Sequence, residues 1–542
     1  MYEWAVFWVK IAKNSKYDTA ISERTFMSGV LTLTVSTVIV KIIGLAYKIP
    51  LLSVLGTDGM GYFNTAYEVF ALLCGVSTSG MPIAVSMLVA SAYESGNSAR
   101  ARGIFRTSSA LLLTKGVLFS ASLALLAGPV ANAVGNADAY LALLAISPAL
   151  LFSCIAGAIR GYFQGRRIML PTAISQLTEA LGKLIIGVTF AVIATKMGFG
   201  VASAAAFAVL GVSIGSMLSA IYLIVKKQMD REALLTKRDS DQKTGKYFFE
   251  LLRISLPITA CSALTGATRI IDMALIMRRL QDIGVSAASS NKIYGAYTTL
   301  ALPIFGLVPA FVPPITESLI PRLSAAAETK NKLEEKHAVS GAARLTVFLA
   351  MPASMGLVLY SEDIIALLFG RGTEALDVAA PLLSALGASV LFSCLVTTTN
   401  AMLQSYRRVV LPMVSLGAGA AVKAVSAYFL IGNPDIGVMG APVSTLLCNV
   451  TVLSINLCFV SSCFSGRTGI LAQLPKPFFA SVISMLASYA AYIPLKKAFD
   501  GSSIAFVCAF CIAISTYVFL CVYFGVVNKN DISMIRINKK ES

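Results

Sequence analysis

LLFSCIAGAIRGYFQGRRIMLP occupies residues 150–171, and VLFSCLVTTTNAMLQSYRRVVLP occupies residues 390–412. Leu151-Phe152-Ser153-Cys154 returns as Leu391-Phe392-Ser393-Cys394. Gln164 returns as Gln404, Arg166-Arg167 as Arg407-Arg408, and Leu170-Pro171 as Leu411-Pro412. Each copy is an apolar run, a polar turn with two arginines, and a second apolar run opened by Leu-Pro. A chain that states this twice is built from an internal repeat, and the class of the fold follows from what surrounds the two copies.

The surroundings are oily. Of 542 residues, 56% are hydrophobic and 13% charged, against roughly 25% charged in a soluble domain. Runs of about 20 apolar residues, enough to cross about 30 Å of hydrocarbon, recur along nearly the whole length. They are continuous rather than alternating, so they read as helices and not barrel strands. Fourteen spans are expected, near 28–47, 62–90, 108–134, 139–159, 169–195, 200–225, 251–277, 293–320, 341–360, 378–402, 409–431, 437–462, 476–495 and 502–527. SGMP at 79–82, Pro148 and LVPAFVPP at 307–314 are expected breaks. The fold class is therefore an all-α membrane protein of about 14 transmembrane helices.

Charge orients the spans. With the N-terminus inside, 31 of the 44 Lys and Arg fall in cytoplasmic tails and loops, 7 in outer loops and 6 within spans. That asymmetry follows the positive-inside rule and accounts for the net charge of +17 without a nucleic-acid partner. The expected place is the cell membrane, multi-pass, with both termini cytoplasmic. The single histidine, His337, lies in a charged loop, which nearly excludes histidine catalysis and His-ligated zinc. No Walker-type phosphate loop occurs, and Cys508-x-x-Cys511 has no second pair to make a metal site. No enzyme activity, cofactor or metal is expected.

The two copies lie six spans apart, so both run in the same direction. GMGYFNTAYEVFALL (59–73) pairs with IYGAYTTLALPIFGL (293–307), and Lys183 and Lys423 fall 240 apart. Two parallel six-helix lobes plus two C-terminal helices result: a cytoplasmic extension over 1–26, an N-lobe over 27–226, a basic loop over 227–249, a C-lobe over 250–463, two further helices over 464–527 and a tail over 528–542. Twin lobes of this kind are a transporter architecture, in which alternating access exposes a cavity to each face in turn.

Charges inside the membrane are the informative residues. The basic ones are Lys41, Lys48, Lys115, Lys183, Arg269 and Lys423; the acidic ones are Glu68, Glu179, Asp272 and Glu317. Six lipid-facing cations would cost roughly 15 kcal/mol on insertion scales, so they must pair, snorkel or face water. Glu179 and Lys183 have the i,i+4 spacing of a helical ion pair, and Arg269 and Asp272 the i,i+3 spacing. Lys41 and Lys48, seven apart, share a face with no acid on it. The surplus is positive, which suits an anionic substrate, with a diphosphate the leading candidate. Candidate substrate-binding residues are Lys41, Lys48, Arg269, Lys183 and Lys423; candidate ion-pair or coupling residues are Glu179, Asp272 and Glu317.

VKIIGLAYKIPLLSVLGTDGMGYFNTAY (40–67), RGYFQGRRIMLPTAISQLTEALGKLIIG (160–187) and IDMALIMRRLQ (271–281) resemble the polysaccharide-export branch of the multidrug/oligosaccharidyl-lipid/polysaccharide (MOP) superfamily, which holds stage V sporulation protein B and the MurJ-type lipid II flippases. The likeness runs from Phe26 to about Val527. It implies fourteen helices, no cofactor, and translocation of an undecaprenyl-diphosphate-linked saccharide, a peptidoglycan precursor or another envelope polysaccharide unit, across the cytoplasmic membrane. It also implies that Lys41 stands at a cavity position that is arginine in MurJ-type proteins, with Lys48 at or beside another. Gly75 and Thr298 replace two further arginines, so the cargo need not be lipid II itself. Expected partners are a lipid-linked anionic saccharide, membrane lipids and envelope-synthesis proteins. Two rival functions remain: a cation-coupled multidrug antiporter of the same superfamily, and a non-transporting scaffold in cell-wall or spore-envelope assembly.

Overall fold

The computed structural model describes residues 36–230, 244–313, 332–372, 374–406, 410–463, 469–498 and 503–526, with 316, 323 and 408. The N-terminal extension, most of the basic loop, Glu317 and the C-terminal tail lie outside the described residues. The ordered elements are α1 (36–46), α2 (Lys48–Thr78), α3 (Gly80–Glu94), α4 (Ser98–Val134), α5 (Tyr140–Gly165), α6 (Leu170–Lys196), α7 (Val201–Gln228) and α8 (Thr244–Asp282). They continue as α9 (Ala287–Ala296), α10 (Leu302–Leu307), α11 (Lys332–Leu359), α12 (Ser361–Phe369), α13 (Glu374–Ser405), α14 (Leu411–Ile431), α15 (Gly440–Cys463), α16 (Pro475–Ala498) and α17 (Ser503–Tyr523). Among the described residues there is no strand, as a bilayer requires of any open, non-barrel backbone.

Thirteen helical runs among the described residues are long and apolar enough to cross a membrane. The first, Ser36–Tyr93, has 58 residues, which at 1.5 Å per residue is about 87 Å, nearly three hydrocarbon thicknesses. It divides at Gly56, whose φ of 65° and ψ of −176° no helix contains. Only glycine enters that region without steric penalty. Divided there, the run supplies two crossings, and the chain is an all-α protein with about fourteen transmembrane helices. Apolar side chains such as Leu125, Phe429, Phe519 and Val522 are exposed on these helices, as lipid-facing positions must be.

The expected breaks fare differently. Ser79 of SGMP keeps helical torsions (φ −62°, ψ −44°) and its Oγ donates to the Gly75 carbonyl at 2.6 Å. Pro148 lies inside an uninterrupted α5. In the eighth span the helix does change character, with a π-helical turn at Tyr297–Ala301 and a 3-10 turn at Pro309–Phe311. Proline alone does not stop a membrane helix when neighbouring groups serve the freed carbonyl.

The repeated motif has a plain structural meaning. α5 ends at Gly165, the chain turns through Arg166-Arg167, and α6 starts with Pro171 at its first turn. α13 ends at Ser405, and α14 starts with Pro412 in the same place. Proline suits that position because its amide would have no intrahelical partner. Arg167 sits at φ 61°, the tight reversal that the turn needs.

The chain forms two compact units. One holds residues up to 266 apart from 133–136; the other holds 133–136 and 267 onward. The first half of α8 packs within the N-terminal unit. Cβ atoms built on Gly80 and Gly266 would come within 2.2 Å of the Ser255 carbonyl and 2.7 Å of Leu72, and Arg100 pairs with Glu250 at 3.3 Å. In the same unit α6 and α7 nearly touch. A Cβ on Gly211 would lie 2.4 Å from the Gly187 Cα, and one on Gly215 2.7 Å from the Glu179 carbonyl. Small residues that let two backbones meet are the membrane substitute for a hydrophobic drive between helices.

Candidate functional site

That close approach fixes one turn of α6, and the turn carries two charges, Glu179 and Lys183. They border a cavity of about 400 Å³ in the N-terminal unit. α1 contributes Thr37, Lys41 and Gly44; Tyr47 follows it; α2 contributes Tyr67 and Phe70; α6 adds Gln176. One wall is an aromatic ladder. Tyr47 meets Phe63 edge-on at 5.8 Å, Phe63 stacks on Tyr67 at 6.0 Å, and Tyr67 meets Phe70 at 6.0 Å. Residues 63, 67 and 70 follow the four-then-three spacing that keeps side chains on one helix face.

Lys183 points its ammonium into this wall, 4.3 Å from the Tyr67 ring centroid and 5.1 Å from that of Tyr47. A cation over an aromatic face is attracted by the ring quadrupole, by about 0.5–2 kcal/mol depending on desolvation. Glu179 does not take it. The expected Glu179–Lys183 pair is replaced by one with Arg160, whose Nη2 donates to the Glu179 carboxylate at 2.9 Å. The guanidinium fork explains the preference: the same side chain donates to Ser175 Oγ and Ser219 Oγ, each at 2.9 Å, so three elements are tied by one planar group. Ser216 Oγ adds a 3.4 Å contact to the carboxylate.

The balance of charge at the cavity follows. Arg160 neutralises Glu179. Lys41 has no carboxylate partner among the described residues, and Lys183 has only rings. Two uncompensated ammonium groups remain. Tyr47 Oη and Gln176 Oε1 are buried without hydrogen-bond partners among the described residues. Buried polar atoms are normally satisfied, and here both belong to residues lining a cavity that can hold a polar ligand or water.

Of the other expected site residues, Lys48 shares the helical face of Lys41 but lies about 10 Å further along at 1.5 Å per residue, and it is not among the lining residues. Arg269, Asp272 and Lys423 belong to the C-terminal unit. Lys423 is not an open cation there: its Nζ lies 2.7 Å from the Asp272 carboxylate, with both side chains at or below 10% exposure. Local spacing points to Arg269 for Asp272; Lys423 on α14 is a partner that spacing along one helix does not show. The match between Lys183 and Lys423 also fails in register. Lys183 is twelve residues after Pro171, and Lys423 is eleven after Pro412. One residue turns a side chain by about 100° on a helix of 3.6 residues per turn, enough to send one lysine to the tyrosines and the other to an aspartate.

Sequence reasoning missed Arg160, Tyr47, Tyr67 and Gln176. The expected fourth span, 139–159, stops one residue short of Arg160, whereas α5 runs to Gly165. An arginine in the last turns of an apolar helix, with a glutamate nineteen residues on in the next helix, was the available signal.

Known proteins bear on this geometry. The membrane protein YabM of Bacillus subtilis (strain 168) is 30% identical over 441 residues, 79% of each chain. Stage V sporulation protein B of the same organism is 24% identical over 447 residues, 81% of this chain and 84% of that one. Its lipid II flippase MurJ is 24% identical over 416 residues, covering 74% and 76%. A solved structure of lipid II flippase MurJ in an inward closed conformation superposes with a TM-score of 0.70 at 15% identity, over 91% of this chain and 98% of that one. An inward-facing multidrug resistance MATE transporter of the MOP superfamily gives 0.63 at 15% identity, over 82% and 98%. These two structures show a shared fold. Residues 26–327 match the family described as polysaccharide biosynthesis protein, and with the span of the YabM alignment this establishes the chain as a member of that family.

Proposed function

We propose that this protein carries a lipid-linked saccharide across the membrane by alternating access, and that the lipid is joined to the sugar through a diphosphate, as in undecaprenyl-diphosphate carriers. The observation that supports this best is the charge of the N-terminal cavity: Lys41 and Lys183 without carboxylates, beside an acid already matched by Arg160. A diphosphate brings two negative charges, and at an effective dielectric of about 20 each close cation attracts each charge by about 4 kcal/mol at 4 Å. Tyr47 Oη can donate to a phosphate oxygen, and Gln176 Oε1 can accept from a sugar hydroxyl. Relatives named as lipid II flippases support the class of cargo; which sugar is attached is not part of the proposal.

Direction follows from charge. With the N-terminus inside, cargo moves outward, and an inside-negative potential favours that movement of two negative charges by about 2.3 kcal/mol per charge per 100 mV. No bond is made or broken in the proposed cycle, so the reading is that of a carrier and not an enzyme.

The multidrug antiporter reading is weaker on a specific observation. An organic cation would look for unpaired carboxylates and aromatic faces. Here the carboxylate is matched and the tyrosine faces are occupied by the chain's own ammonium. The test is reconstitution in liposomes with a fluorescent undecaprenyl-diphosphate sugar in one leaflet, followed by a membrane-impermeant quencher. Protein-dependent loss of protected fluorescence supports the proposal. Absent movement of this lipid, with uptake of a lipophilic cation by the same vesicles, would refute it in favour of the antiporter.

A further inference from the structure

The rings that face Lys183 are themselves fixed by packing. α2 carries Phe63 and Tyr67 one turn apart, and Phe63 stacks on Tyr67 at 6.0 Å with the ring planes 13° apart. Phe63 is buried and also meets Tyr47 at 5.8 Å with the planes 60° apart. Both separations lie in the range that aromatic pairs prefer. Tyr47 is buried as well, and it has its place because Gly187 has no side chain: a Cβ there would come within 3.0 Å of Tyr47 Oη. Gly187 stands one turn after Lys183 on α6. The same stretch of helix thus supplies the cation and the room for one of the two rings that meet it.

Both ring centroids, at 4.3 and 5.1 Å from Lys183 Nζ, are within the roughly 6 Å over which an aromatic face attracts a cation. A ring does for an ammonium what a carboxylate cannot. It fixes the position of the group and leaves its charge uncancelled. Glu179, one turn earlier on α6, is the acid that could draw the ammonium away, and it is bound to Arg160, which also donates to Ser175 and Ser219. A lysine with no such hold would have to be ordered each time an anion arrived, and ordering that side chain costs about a tenfold loss of affinity. A group ordered beforehand avoids that cost.

We propose that Tyr67 and Tyr47, backed by Phe63, are positioning residues for capture of the diphosphate: they hold the Lys183 ammonium at the cavity before cargo arrives. This rests on the reading of the cavity as a diphosphate site, so one of two measurements is independent of transport. In that one, the lysines of the full-length, cargo-free protein in detergent are reductively methylated with isotope-labelled formaldehyde, which keeps their charge, and the Lys183 resonance is identified by its absence from Lys183→Gln. Ring currents should shift it upfield of the other lysines. Tyr67→Leu should return it towards them, and Tyr67→Phe should not. The second measurement is flipping rate against concentration of the undecaprenyl-diphosphate sugar. Tyr67→Leu should raise the half-saturating concentration about tenfold with the maximal rate unchanged, and Tyr67→Phe should behave as wild type. Tyr67→Leu should add nothing to Lys183→Gln, because a residue that acts only through another has no effect once that other is gone. A Lys183 resonance at the ordinary lysine position overturns the proposal. So does a Tyr67→Leu protein with wild-type half-saturation, or one whose effect persists in full on Lys183→Gln. Wild-type protein that moves no diphosphate lipid refutes the transport reading instead, and the resonance then decides alone whether the rings hold the ammonium.

Discussion

Replacing Lys183 by glutamine tests the transport site most directly, because the change keeps a polar side chain only one atom shorter and removes the charge. The ammonium lies 4.3 Å from the Tyr67 centroid and 5.1 Å from that of Tyr47, on a turn of α6 pinned by Gly215 of α7. With a phosphate oxygen about 4 Å away, the lost attraction is about 4 kcal/mol at an effective dielectric of 20. Lys183 is only half-buried, so solvent screening removes part of that. The glutamine amide also keeps one hydrogen bond of about 1 kcal/mol. About 2 kcal/mol should remain, which corresponds to roughly 30-fold weaker capture of the diphosphate. The assay is initial flipping rate against lipid concentration in liposomes of equal protein content. The half-saturating concentration should rise by that factor, with the protein eluting as a single species of wild-type size. A folded Lys183→Gln protein with wild-type half-saturation would remove this lysine from substrate capture and leave Lys41 as the sole open cation of the cavity.

The other expectations concern what holds the site. Arg160→Ala should lower stability by about 3 kcal/mol, the low end for breaking a buried pair, because Glu179 loses its guanidinium but keeps 32% exposure; the Arg160→Ala, Glu179→Ala double variant should recover most of it in the same thermal unfolding measurement. Gly211→Leu should destabilise by at least the 1–3 kcal/mol of an overpacked core, since even a Cβ there meets the Gly187 backbone at 2.4 Å, and expression of folded protein reads it. Asp272→Ala should cost about 3–5 kcal/mol by stranding the Lys423 ammonium, while Asp272→Leu with Lys423→Met should be near neutral, as buried pairs replaced by apolar side chains often are. Gly56→Val should impair insertion or folding, because a β-branched residue has no comfortable place at φ 65°, and a protease-protection map would show it.

The architecture was legible because hydrophobic length is a one-dimensional property. Runs of apolar residues, Leu-Pro starts and twin arginines fix where helices begin and turn whatever packs beside them. The partners of charges were not legible in the same way. Lys183 and Glu179 satisfy the helical pairing rule, yet the rule weighs only neighbours on one helix, and it lost to an arginine on α5 that reaches two serines as well. Arg160 itself lies inside the repeated motif, one residue past the expected end of the fourth span at 159, whereas α5 runs on to Gly165.

The duplicated helices α6 and α14 also explain why the lysine of one copy meets no carboxylate and that of the other does. Both begin at Leu-Pro, and both carry a lysine three turns in. Had the register been equal, each lysine would leave its helix in the same direction and meet the same kind of environment. The single-residue difference rotates one relative to the other by about 100°. In the C-terminal unit the rotated ammonium finds Asp272 and the pair becomes net neutral, with 9% and 10% of the side chains exposed. In the N-terminal unit the ammonium finds only rings, which stabilise a cation without cancelling its charge. A repeat that began as a copy can thus hold one lysine that keeps its charge and one that is neutralised without changing the residue type. For a cargo with one charged diphosphate and a neutral sugar, that asymmetry predicts that shifting Lys423 by one position, as Lys423→Ala with Ala424→Lys, takes the ammonium away from Asp272 and leaves diphosphate capture unchanged, so that stability falls while half-saturation does not move.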